Sequence, residues 1–98
     1  MKRYKIEFSA IANEELFESY LWGLRNWDEL AAQRWAREVR DTVIYKLSRF
    51  PLRHPIAPES KAFGIDIRHL IIGRYRVLFT IDEETVLILH IRGPYTGE

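Results

Sequence analysis

The sequence predicts an α+β domain in the order β-α-α-β-β-β, with a helical hairpin packed on one face of a small antiparallel sheet. Three observations carry this. Apolar residues recur at helical spacing through the first half of the chain, they change to strand alternation after Gly64, and a proline-bearing stretch divides the two patterns. At 98 residues, with 47% hydrophobic content and three tryptophans, the chain is expected to fold as one domain over residues 1–98.

Tyr4-Lys5-Ile6-Glu7-Phe8 alternates apolar and polar, the pattern of a half-buried strand. Ser9 or Asn13 is placed to cap the first helix, whose Leu16, Phe17, Tyr20, Leu21 and Leu24 share a face. Asp28 is a good N-cap for a second, longer helix, with Glu29 favourable in its first turn. Ala31, Trp35, Val39, Val43 and Leu47 step by four along that helix's apolar side. Only Asn26 and Trp27 separate the two patterns, which makes a hairpin. Pro51, Pro55 and Pro58 break regular structure through about residue 60, leaving a surface loop that carries Arg53, His54 and Lys61. Strands are expected over Gly64–Ile72, Arg74–Ile81 and Thr85–Arg92, joined by turns at Gly73 and at Asp82-Glu83-Glu84.

Composition excludes several classes. The chain has no cysteine, hence no disulfide framework, thiol nucleophile or cysteine-based zinc site. Its three histidines have no ligand spacing, so neither a metal nor another cofactor is expected. No apolar run approaches the ~18 residues of a transmembrane helix, and MKRYKIEFS alternates where a signal peptide would be continuously apolar. A cytoplasmic protein with no membrane contact is the expectation. The net charge of +1 is uninformative, but six Lys and Arg against two acids lie between Arg49 and Arg76.

The segment from Arg68 to Arg92 sets cations among β-branched residues, which is unfavourable on central strands unless an anion meets them. A three-residue loop at Asp82–Glu84 pairs Phe79 with Leu87, Val77 with Leu89 and Tyr75 with Ile91. The same register pairs Arg76 with His90 and Arg74 with Arg92. A two-residue loop puts Arg76 opposite Ile91 and mixes charge into the buried face. The first register is therefore preferred, and it gathers Arg76, His90 and Arg92 on one sheet face with Arg68 arriving from the neighbouring strand. Like charges repel across strands, so an anionic partner would supply the reason for the cluster.

The ordered elements, with Ile67-Arg68-His69-Leu70-Ile71-Ile72-Gly73-Arg74-Tyr75-Arg76-Val77-Leu78-Phe79 and the closing His90-Ile91-Arg92-Gly93, resemble the RelE/ParE superfamily of type II toxins, often labelled plasmid stabilisation proteins. The resemblance covers essentially the whole chain. It implies a growth-inhibiting toxin neutralised by a cognate antitoxin. RelE-like members cut mRNA on the ribosome without a metal; ParE-like members share the fold and poison DNA gyrase. On the match, Arg76 corresponds to the arginine that holds the scissile phosphate, Arg92 to the basic residue after the last strand, and Arg68 lies near a basic second strand.

The nucleases also carry a basic C-terminal segment with a functional tyrosine. Here the chain continues Arg92-Gly93-Pro94-Tyr95-Thr96-Gly97-Glu98, where only Tyr95 could substitute. That departure favours the gyrase-directed branch over the endoribonuclease, with an inactive toxin-fold binding module as a third reading.

The candidate catalytic residues are thus Arg76, Arg92, His90 and Tyr95. The anion- or target-binding candidates are Arg68, Arg74, Arg76 and Arg92. Glu59 is a candidate general base, with His54 and His69 behind it, while Glu59, Asp66 or Asp82 would simply pair with Arg76 if that arginine were structural. His90 reads as a general acid or base, or as a half-buried strand histidine. Glu14, Glu15 and Glu18 read as a solvated helix face. Trp22 falls off the main apolar face, where it would serve an antitoxin or a second copy of the chain in a homodimer.

Overall fold

The computed structural model describes residues 3–93. Its elements are β1 (Lys5–Phe8), α1 (Ala10–Asn26), α2 (Glu29–Leu47), a 3₁₀ turn (Pro51–Arg53), a one-turn helix α3 (Ser60–Phe63), β2 (Arg68–Ile72), β3 (Tyr75–Asp82) and β4 (Thr85–Arg92). The α+β order is as expected. The sheet runs β1-β4-β3-β2, so β2, β3 and β4 form the antiparallel meander and β1 joins β4 in parallel. The sheet is therefore mixed. The helical hairpin carries the chain from β1 across the sheet, so β4 enters beside β1 in the same direction.

Caps fix both long helices. Ser9 Oγ accepts from Ala12 N–H and donates to the Leu89 carbonyl, each at 3.0 Å. One side chain thus starts α1 and ties it to β4. Asp28 Oδ1 accepts from Ala31 N–H at 2.7 Å. The buried stripe of α1 is Ala12, Leu16, Ser19 and Gly23, rotated from the expected face, and Phe17 stays 58% exposed. Small residues win that stripe because the helices approach closely: a Cβ on Gly23 would sit 3.0 Å from the Trp27 ring and 3.2 Å from Ala32.

The main core lies between the helices and one sheet face. Leu16, Val39, Val43 and Leu47 meet Leu70, Tyr75, Val77, Phe79, Val86, Ile88 and Ile91. On the other sheet face, Ala57, Ile67 and Leu78 form a small cluster with Leu89. The proline segment covers it and is less irregular than expected. Ala57 N–H donates to the Ile67 carbonyl at 2.7 Å, and Ser60 Oγ bonds both the N–H and the carbonyl of Ile67. Gly64 caps α3 in the left-handed region, so β2 begins at Arg68 rather than Gly64.

The β3–β4 register differs from the expected one. Asp82 pairs with Thr85 across a two-residue turn, with Glu83 at φ 56°. Ile81 then faces Val86 and Phe79 faces Ile88, but Leu78 faces His90 and Val77 faces Ile91. Leu89 is the extra residue of a β-bulge. The bulge shifts the ladder by one residue, so the short turn no longer sets Arg76 against Ile91. Instead Arg76 faces Arg92.

Candidate functional site

Arg76 lies on the sheet face opposite the helices, and its charge is met inside the molecule. Its Nη1 and Nη2 donate to Glu59 Oε2 and Oε1 at 2.8 and 2.9 Å, a bidentate pair. Nε donates to His69 Nδ1 at 3.3 Å, and Nη2 lies 3.0 Å from the same nitrogen. In that role His69 Nδ1 is an acceptor, which leaves the ring proton on Nε2. Glu59 reaches this position because it starts α3, and the Ser60–Ile67 hydrogen bonds clip α3 to the start of β2. His69 arrives through the β2–β3 hairpin, where His69 faces Leu78 and Ile71 faces Arg76.

The electrostatics follow from that geometry. The Arg76 hydrogen bond is the main cause that holds the Glu59 carboxyl down at about 2, helped by its own backbone N–H and by the Arg76 and Arg92 charges, with burial opposing. The same hydrogen bond pushes the Arg76 guanidinium up. The pair is about a fifth to a third exposed, at 21% for Glu59 and 33% for Arg76.

Of the other candidates, Arg92 and His90 share the sheet face of Arg76, as expected, whereas Arg68 does not join them. Arg68 faces Phe79 and so lies on the helix side of the sheet, away from Arg76. Its Nη1 donates to the His54 carbonyl at 2.6 Å, which ties the proline segment to β2. Arg74 occupies the β2–β3 turn and is exposed; it is not paired with Arg92. Arg92 ends β4, exposed, opposite Arg76.

His90 is paired with Leu78, and its Nδ1 lies 3.3 Å from both carboxylate oxygens of Glu15 on α1. Glu15 also accepts the Ile91 N–H at 2.8 Å, so it closes the β4 edge beyond the end of β1 and is not a solvated helix residue. Trp22 is half-buried, with its ring edge-on to Trp27 at 5.5 Å. Tyr95 lies outside the described residues. Among the described residues, no three His, Asp or Glu side chains group as metal ligands.

A ribonuclease needs an arginine open to phosphate and a base near neutrality. Here the first is occupied by a carboxylate, and that carboxylate is a weak base. What the cluster offers outward is Arg92, the far side of His69 and the rim of the Arg76–Glu59 pair.

Comparison with known proteins decides the family. A family model described as the ParE toxin of the type II toxin–antitoxin system, parDE, matches residues 6–93. The chain belongs to the ParE toxin family. No curated protein matches it in sequence. Among solved structures, it resembles a chain of the chromosomal ParDE toxin–antitoxin system of P. aeruginosa, with TM-score 0.77, 15% identity, and coverage of 93% of this chain and 96% of that one. It also resembles a chain of the RelBE2 toxin–antitoxin complex of Mycobacterium tuberculosis, with TM-score 0.70, 26% identity, and coverage of 98% and 97%. The protein is thus a type II toxin of the RelE/ParE superfamily, with the fold these neighbours share.

Proposed function

We propose that this ParE-family toxin arrests growth by docking on DNA gyrase, without cutting RNA, and that a cognate antitoxin neutralises it. One observation carries the preference: the Glu59 carboxylate occupies Arg76 in bidentate fashion and, held at about 2, is ineffective as a base at neutral pH. The face around Arg76 then serves as a polar contact surface. The rival reading, a metal-independent ribosome-dependent endoribonuclease, draws support from the grouping of Arg76, His69 and the opposed Arg92.

For the antitoxin, the groove between α1 and α2 fits an amphipathic helix. Leu16, Phe17 and Tyr20 supply apolar contacts, and Arg37 and Arg40 supply charge.

Induced expression of the toxin alone tests the proposal. Growth arrest with a DNA-damage response and intact transcripts is the expected result. Arrest with cleaved transcripts would establish the nuclease, and no arrest would leave a toxin fold acting only as a binding module.

A further inference from the structure

A second cationic region lies where α2 ends. Tyr45-Lys46-Leu47-Ser48-Arg49-Phe50-Pro51-Leu52-Arg53-His54 alternates basic and aromatic residues through the last helical turn and the 3₁₀ turn. Arg49 Nη1 donates to the Tyr45 carbonyl at 3.1 Å, and its guanidinium stacks on the Tyr45 ring at 4.1 Å. One turn on, Arg53 stacks on Phe50 at 4.3 Å. These residues, with Lys46 and His54, line a cleft of about 340 Å³.

The carbonyl end of a helix favours nearby cations, which accounts for Lys46 and Arg49. It does not account for Arg53, which lies beyond the helix, or for the exposure of Tyr45 at 61% and Phe50 at 41%. Among the described residues, no carboxylate lies within ion-pair distance of Lys46, Arg49 or Arg53. Burial first, then the charges of Lys46, Arg53, His69 and Arg68, push the His54 imidazole below its ordinary value. Three cations gathered without an anion, beside exposed rings, call for a ligand that is both anionic and flat.

We propose that this cleft binds single-stranded nucleic acid, with backbone phosphate on Arg49 and Arg53 and a base stacked against the Tyr45–Phe50 surface. Guanidinium groups held against rings are pre-oriented for phosphate, and ring faces accept any base, so binding is sequence-tolerant. An acidic peptide would use the cations but leave the rings idle. The site shares no residue with the Arg76–Glu59 pair, so it stands whether gyrase or mRNA is the target.

Fluorescence anisotropy of the purified toxin with labelled oligonucleotides of about 12 nucleotides tests this. Oligo(dT) and oligo(U) should bind, and a duplex should bind more weakly. Arg49→Glu with Arg53→Glu should weaken binding at least about tenfold and lower the salt slope by about 1.4, the value for two phosphates on a single strand. Tyr45→Ala, at an exposed position that the fold does not need, should weaken binding about tenfold and leave the slope unchanged. A matched reversal elsewhere, Arg25→Glu with Arg34→Glu, should leave affinity within about twofold.

Three results would overturn the proposal. One is no oligonucleotide binding at about 50 mM salt. Another is an equal loss in the matched control. The third is full competition by poly-glutamate with no effect of Tyr45→Ala, which would assign the cleft to an acidic protein segment.

Discussion

Arg76 and Arg53 present the same side chain in two settings. Arg76 sits among a bidentate carboxylate, a histidine nitrogen and an opposed Arg92. Arg53 rests on one aromatic ring beside Lys46 and Arg49, with no carboxylate lining its cleft among the described residues. At the first position charge is balanced within the fold and contributes to its stability. At the second it is left for something outside. The contrast separates cations that hold this small domain together from cations that the domain presents.

The largest effect should follow from Arg76→Met. That change leaves the Glu59 carboxylate half-buried without its partner, and chemical denaturation should show a loss of about 2 kcal/mol. An unchanged midpoint would mean that the pair carries no stability and that Arg76 belongs with Arg53.

Glu59→Gln should cost about 1 kcal/mol, reduced by solvent screening because both partners are partly exposed. Its effect should also depend on pH in a definite direction. The folded carboxyl is held at about 2 against an ordinary 4.5, so the pair stabilises the fold above 4.5 and loses that contribution as pH falls toward 2. Melting curves of wild type and Glu59→Gln should therefore differ at neutral pH and converge in acid.

Glu83→Gly should stabilise by about 0.5–1 kcal/mol, because Glu83 holds φ 56° at the β3–β4 turn. A destabilised variant would speak against the two-residue turn that sets Arg76 against Arg92.

The smallest effect should be at Arg53→Gln, which should stay within about 0.5 kcal/mol in the same denaturation experiment while the Arg76 change does not. A loss as large as that of Arg76→Met would erase the distinction between the two regions.

Much of the fold was legible because local chemistry specified it. Asp28 and Ser9 have the short oxygen-bearing side chains that caps require, and both cap. The meander followed from alternation and turn residues. The β3–β4 register was not legible because a bulge at Leu89 depends on how β4 meets its neighbours: Ser9 binds the Leu89 carbonyl, and Glu15 accepts the N–H of Ile91, two residues on.

The face of Arg68 was within reach. A two-residue turn at Gly73-Arg74 sets Ile72 opposite Tyr75, and counting back puts Arg68 opposite Phe79 and His69 on the side of Arg76. Glu59 was one of three acids the sequence offered to Arg76, but its choice over Asp66 and Asp82 depends on a helical turn inside a segment read as an irregular loop. Tyr45 to His54 was not read as a unit, because the stacked pairs that make it a surface appear only once α2 ends and the 3₁₀ turn folds back.

The most direct test of a docking toxin is purified protein, free of antitoxin, assayed side by side in gyrase supercoiling and on ribosomes programmed with mRNA. The account predicts that supercoiling is blocked and the message stays intact. Cleaved message with unaffected supercoiling would contradict it, and would mean that Glu59 leaves Arg76 when RNA arrives.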